Sequence, residues 1–255
     1  GPAMGRPKSA TFRTCDVVGL DTLVHVANGV KSNCPDDERN DVFAIPEYVS
    51  KMVENNWLGS KTNQGFYKKI KDDDGKSAIL SLDLNTLEYT PQEKVKFATL
   101  EMAKTIDQLK PRTKLLFNGQ DEAGEFYKRS FTGLFQYVSN RIPEISDELY
   151  RIDEGMRAGF GWELGPFEAW DAIGFESALK EMEKRNLKPA KWVYDMRDKG
   201  ITSFYQLKEG KMYFYDIPSK AYVLIPGQEN KIVLDHLPES SVVWKNSGAT
   251  LHDIG

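Results

Sequence analysis

Gly159-Phe160-Gly161-Trp162-Glu163-Leu164-Gly165-Pro166-Phe167-Glu168-Ala169-Trp170-Asp171-Ala172-Ile173-Gly174 is the stretch whose reading decides the fold. Pro166 suits the first turn of a helix, where the N–H it lacks would have had no partner in any case. The helix is expected to end at Gly174, since a residue without Cβ lets the next helix leave at an angle. Phe167 is expected to anchor it in a core, and Asp171 to sit partly buried, accepting backbone N–H groups. Shifting the chain by 155 residues superposes Phe12-Arg-Thr-Cys-Asp16-Val-Val-Gly19-Leu-Asp21 on Phe167-Glu-Ala-Trp-Asp171-Ala-Ile-Gly174-Phe-Glu176. Phe, Asp and Gly coincide, and Gly5-Arg6-Pro7-Lys8-Ser9 stands where the glycine loop 159–165 stands in the other copy. One helical unit, entered by a tight loop and anchored by Phe12 or Phe167, is therefore read twice.

Outward from these copies, apolar residues of Asp16–Lys31 recur at helical spacing, split at Gly19. A further helix starts at Pro46, with Val49, Met52 and Val53 inward, and stops by Gly59. Gly65-Phe66-Tyr67 turns into extended chain, and Ile79–Tyr89 alternates like a hairpin strand. Phe126, Phe131, Leu134, Phe135 and Val138 form a helical stripe. Ile145–Met156 reads as the next helix, with Ile145, Leu149 and Ile152 inward, and Pro189 opens another. Strand-like runs then appear at Met212–Asp216, Ala221–Ile225, Ile232–Leu234 and Val242–Trp244. Ser9 and Thr11 are read as helix-capping groups.

Thirty-four basic residues against 38 acidic ones give a net charge of −4, with 40% hydrophobic content. That composition fits a globular protein rather than a disordered one, and it lacks the basic stripe of a nucleic-acid binder. No apolar run approaches the ~20 residues of a membrane-spanning helix. Cys15 and Cys34 form no CxxC, and His25, His236 and His252 lie too far apart for a local metal site, so no metal is expected. These features point to a cytoplasmic protein.

The two copies resemble the C-terminal domain of the 3-hydroxyacyl-CoA dehydrogenases, which often occurs in tandem in multifunctional β-oxidation enzymes. Gly159–Gly174 is similar to that family's Gly-x-Gly…Gly-Pro-Phe…Asp-x-x-Gly core, with Asn140-Arg141 and Ile152-Asp153 upstream. Asp16-Val-Val-Gly19-Leu20-Asp21 and Gly59-Ser-Lys61-Thr-Asn-Gln-Gly65-Phe66-Tyr67 are similar to its Asp-x-x-Gly-Leu-Asp and closing signatures. The first copy departs from the pattern at Thr11-Phe12 and in its loop, like a bacterial subgroup followed by an enoyl-CoA hydratase-like domain. The resemblance implies a mainly α fold: two helical repeats packed together, like the C-terminal domain of 6-phosphogluconate dehydrogenase, with small β-hairpins in the inter-repeat insertion and at the C-terminus. The expected organisation is a first repeat at 1–70 lacking its opening helix, an insertion at 71–118, a second repeat at 119–203 and a β-rich connector at 204–255.

The same resemblance implies a parent enzyme that oxidises 3-hydroxyacyl-CoA with NAD. The nucleotide-binding domain and the catalytic His–Glu pair would lie outside this chain, leaving it without catalytic or cofactor-binding residues and inactive alone. Arg6, Lys8, Ser9 and Arg13 are the candidates for the substrate cleft. Phe12, Asp16, Gly19, Asp21, Lys61, Gly65, Asn140, Asp153, Gly165, Pro166, Phe167, Asp171 and Gly174 are read as structural motif residues. Expected partners are acyl-CoA, the nucleotide-binding domain, and a hydratase or thiolase; the repeats would imitate a dimer and leave the chain monomeric. The rival reading is a non-catalytic module that recruits β-oxidation enzymes.

Overall fold

Gly19 and Gly174 share one backbone conformation, φ 99°, ψ 131° and φ 108°, ψ 124°, which residues with a side chain rarely adopt. Each joins two helices at the place the sequence repeat assigns to it. The structure is a computed structural model that describes residues 1–8, 10–71, 75–93, 95–229, 233, 237 and 239–254. It is mainly α-helical with small antiparallel sheets, and it divides into two compact units. Residues 8–95 form the N-terminal unit; residues 1–7 and 96–255 form the C-terminal unit.

In the N-terminal unit, α1 (Thr11–Val18) meets α2 (Leu20–Asn33) at Gly19, and α3 (Glu47–Glu54) follows. Strands β1 (Tyr67–Lys71), β2 (Ser77–Leu82) and β3 (Tyr89–Pro91) then make an antiparallel meander. Leu20, Val49, Met52, Phe66 and Leu82 form its buried core.

The C-terminal unit adds α4 (Ala98–Ala103), α5 (Leu109–Asn118), α6 (Glu122–Asn140) and α7 (Leu149–Phe160) ahead of the shared pattern. The pattern itself is α8 (Pro166–Ile173), α9 (Phe175–Lys184) and α10 (Lys191–Asp198). It closes with the meander β4 (Tyr205–Lys208), β5 (Lys211–Asp216) and β6 (Ala221–Leu224). A separate two-stranded ribbon, β7 (Val242–Lys245) and β8 (Thr250–His252), ends it. Helices α6 and α7 lay Phe131, Phe135 and Leu149 into the core, and Phe135 stacks on Trp170 with ring centroids 4.9 Å apart.

The duplication extends beyond the helices. Val49 and Met52 of α3 are buried as Val193 and Met196 of α10 are, and the next turn is closed by Trp57 N–H to Met52 O (2.8 Å) and by Ile201 N–H to Met196 O (3.0 Å). Leu82 N–H bonds Phe66 O at 2.9 Å, as Tyr215 N–H bonds Phe204 O at 2.8 Å. The Tyr89 hydroxyl donates to Gly65 O and the Tyr222 hydroxyl to Ser203 O, at 2.6 and 2.8 Å. The strands after residue 66 and those after residue 204 are thus one closing element used twice.

Four expectations change. Phe12 is 41% exposed whereas Phe167 is fully buried, because α6 and α7 cover α8 and among the described residues of the N-terminal unit no such helices cover α1. Ile145 is 71% exposed and precedes α7: the Ser146 hydroxyl is engaged with both backbone groups of Glu148 in a local turn, so the helix starts at Leu149. Phe126 is 63% exposed, since Tyr127, Phe131, Phe135 and Val138 make the buried stripe of α6 and Phe126 sits about 100° away from it. Thr11 is the first helical residue of α1, whose N-cap is Ala10 without a side-chain bond, so Thr11 does not cap it; Ser9, Ile232, Leu234 and His236 lie outside the described residues. Phe167→Ala is expected to cost about 3–5 kcal/mol in a urea titration, and Phe12→Ala only about 1 kcal/mol.

Candidate functional site

The site is built around Asp16, which is buried on α1 and faces the start of β1. One carboxylate oxygen accepts the Phe66 N–H at 2.8 Å and the other the Tyr67 N–H at 2.9 Å. Burial raises its pKa, and the two N–H donors pull it back. The approach requires glycine: a Cβ on Gly65 would stand 2.1 Å from Asp16 Oδ1, and one on Gly59 2.3 Å from Asp16 O. Asp171 repeats the arrangement, accepting Phe204 N–H and Tyr205 N–H at 2.9 Å.

Beside Asp16 lies a groove of about 480 Å³, lined by Arg13, Val17, Ser60, Asn63, Tyr67, Lys69 and Ile79 among others. The C-terminal unit has its counterpart, about 250 Å³, with Glu168, Ala172, Tyr205, Leu207 and Met212 in the matching places. There the carboxylates and hydroxyls are engaged internally, and Lys110 is the exposed cation of the lining. Glu168 pairs with Arg157 and accepts the Gly165 N–H at 2.8 Å, and the Tyr205 hydroxyl donates to Asp153 at 2.8 Å. In the N-terminal unit Glu168 is replaced by Arg13 and Leu207 by Lys69, so the wider groove carries two exposed cations over apolar walls. Arg13 was anticipated from sequence; Lys69 was not, although its i, i+2 spacing from Tyr67 on one strand face is the signal that could have found it.

The other candidates are distributed differently. Lys8 is exposed in the N-terminal unit. Arg6 belongs to the C-terminal unit, where its guanidinium lies 3.5 Å over the Trp162 ring and burial draws its pKa down to about 10. Lys61 pairs with Asp21 in the first turn of α2. Asn140 donates to Gln136 O and Lys188 O, tying α6 to the entry of α10. Among the described residues no cluster of His, Cys, Asp or Glu could hold a metal.

The glycine loop 159–165 does not fit a dinucleotide. The N–H groups of Phe167 and Glu168, which would meet a pyrophosphate at a helix N-terminus, already bond Asp153 at 2.9 Å each. A Cβ on Gly165 would come 2.3 Å from the Asp153 Cβ, so this glycine admits a carboxylate rather than a phosphate.

Burial pushes Asp153 up to about 8 and Asp171 up to about 7, against the pull of their donors. The folded C-terminal unit therefore holds protons that the unfolded chain gives up from about pH 4, and that share of stability falls as pH rises from there to about 8. Urea midpoints of this unit are expected to be lower near pH 8.5 than near pH 5, and Asp171→Asn to flatten the slope. Gly65→Ala is expected to unfold the N-terminal unit alone, read as loss of amide protection within 8–95.

Residues 3–69 match the family model described as "3-hydroxyacyl-CoA dehydrogenase, C-terminal domain". A Bacillus subtilis protein named "Probable 3-hydroxyacyl-CoA dehydrogenase" is 42% identical over 256 residues, covering 100% of this chain and 31% of that protein. A Deinococcus radiodurans protein of the same name is 49% identical over 73 residues, 29% of this chain and 20% of that protein. A Psychrobacter protein named "Fatty acid oxidation complex subunit alpha" is 44% identical over 61 residues, 24% of this chain and 8% of that protein. The chain thus spans at most about a third of the length of these relatives. Residues 3–69 are thus similar to the C-terminal domain of the 3-hydroxyacyl-CoA dehydrogenases, and the whole length is similar to about a third of one protein bearing that name.

Proposed function

We propose that this chain is the helical C-terminal region of a longer, cytoplasmic 3-hydroxyacyl-CoA dehydrogenase of fatty-acid β-oxidation. In that protein a 3-hydroxyacyl-CoA is oxidised to the 3-ketoacyl-CoA, and the NAD site and the base that takes the hydroxyl proton reside in a nucleotide-binding domain outside these 255 residues. The single observation that carries the reading is the family match over residues 3–69, which includes α1 and the start of the groove. The groove supports it chemically. Arg13 and Lys69 offer charge to phosphate oxygens, while Val17 and Ile79 offer apolar walls to an extended arm, the two halves of an acyl-CoA. On this reading the chain's share is binding and orientation, with the bond chemistry in the nucleotide-binding domain. A hydratase or thiolase partner acting on adjacent β-oxidation intermediates fits the same reading.

The isolated chain, mixed with a 3-hydroxyacyl-CoA and NAD, is expected to form no NADH; measurable turnover would place catalytic residues within it. In the longer protein, Arg13→Ala is expected to raise KM for the acyl-CoA about five-fold with kcat within about two-fold. That is the ~1 kcal/mol an exposed charge contributes to binding alone. An unchanged KM would remove Arg13 from the cleft.

A further inference from the structure

The two grooves share a backbone plan and differ in what their walls can bind. Arg13 lies one helical turn ahead of Asp16, whose carboxylate holds the Tyr67 N–H at 2.9 Å, and Lys69 follows Tyr67 on the same strand face. Helix α1 and strand β1 thereby bring both cations to one groove. Ser60, Asn63 and Gln92 add a hydroxyl and two amides to its lining. Asn63 is held there at φ 58° by a cross-bonded loop, Gly59 N–H to Gln64 O at 2.8 Å and Gln64 N–H to Gly59 O at 3.1 Å. The side chains of Arg13, Ser60, Asn63, Lys69 and Gln92 have no hydrogen-bond or ion-pair partner among the described residues. The acid of the lining, Asp16, has both oxygens on backbone N–H groups. In the C-terminal unit the matching places hold Glu168, paired with Arg157, and Leu207, so the same plan offers an anion nothing there.

We infer that the groove of the N-terminal unit is a site for a phosphate monoester dianion carried on a nucleoside, with Arg13 and Lys69 on the phosphate and Ser60, Asn63 and Gln92 on the sugar and base. Two unpaired cations call for a doubly charged ligand. A phosphate monoester carries about −1.5 to −2 at pH 7 on three terminal oxygens, whereas a carboxylate or phosphodiester offers one charge and two oxygens. The Arg13 fork spans two of the three oxygens and the Lys69 ammonium meets the third. At about 480 Å³ the groove exceeds a phosphate and lies in the range that holds a whole small-molecule ligand. The hydroxyl and the amides suit ribose hydroxyls and ring nitrogens, and Val17 and Ile79 suit the face of a base. Two sources carry this chemistry: the 3′-phosphorylated adenosine end of coenzyme A, and a free nucleotide. The first source rests on the function proposed above and adds to it which end of the ligand lies here; the second does not depend on it.

Calorimetric titration of the 255-residue chain with coenzyme A, 3′-dephospho-coenzyme A and adenosine 5′-monophosphate tests the site without turnover. Coenzyme A binding at least about ten-fold tighter than its dephospho form assigns the site to the phosphorylated end of that molecule. Adenosine monophosphate binding at least about ten-fold tighter than both coenzyme forms assigns it to a free nucleotide. In either case Lys69→Gln is expected to weaken binding at least about five-fold, and Lys68→Gln, whose side chain lies over the Tyr89 ring outside the groove, to change it less than about two-fold. Binding is also expected to weaken as the pH falls through about 6, where the monoester takes up its second proton. Equal affinity for all three probes, or equal losses in the two lysine variants, would overturn the site. That result would leave the proposed function standing, since turnover by the longer protein tests it separately.

Discussion

A buried aspartate that accepts two consecutive backbone N–H groups is the constraint on which both units depend. An ionisable group inside a protein is tolerated when every oxygen finds a donor, and consecutive amides at the start of a strand supply two from one direction. Asp16 thereby ties α1 to β1 across 50 residues of sequence, and Asp171 ties α8 to β4 across 33. The tie sets neighbouring requirements: glycine at 65 where the carboxylate arrives, and a tyrosine from the third strand whose hydroxyl bonds the carbonyl just before the pinned amides. Asp153 adds a further tie in the C-terminal unit, from α7 to the first turn of α8 and to Tyr205.

One architecture has thus been put to two uses. In the C-terminal unit α6 and α7 close over α8, and aromatic rings from Phe131 through Phe135 and Trp170 stack, with Phe204 tilted against Trp170, in a continuous core. In the N-terminal unit the same helix–glycine–helix frame keeps its own smaller core while one side of α1 and a cationic groove face outward. The copies differ in what covers the first helix and in the charges at two groove positions, rather than in the backbone plan.

Much of this was legible in the residues. The repeated Phe, Asp and Gly, the first-turn proline and the glycine breaks all express local rules, and the structure follows them from Thr11–Val18 and Pro166–Ile173 onward. The exposure of Phe12 was not legible, because it is decided by partner helices that no local pattern reports. The second half of each repeat escaped notice for a different reason: Gly65-Phe66-Tyr67 and Ser203-Phe204-Tyr205 match, but the segments leading to them differ in length by a large loop, which hides a fixed-offset comparison. Helices α4 and α5 were passed over inside the expected insertion, where Lys110, Pro111, Arg112 and Lys114 dilute the apolar period. Among site residues, Arg13 declared itself by its place beside the motif, whereas Lys69 acquires meaning only when β1 is laid against α1.

The central claim is that each copy is held by its own aspartate, and site-resolved amide exchange on Asp16→Ala and Asp171→Ala tests it most directly. Asp16→Ala is predicted to speed exchange at Phe66, Tyr67 and along β1–β3 while Phe204 and Tyr205 stay protected, and Asp171→Ala to do the reverse. Protection of both sheets that survives the loss of its own aspartate would contradict the account.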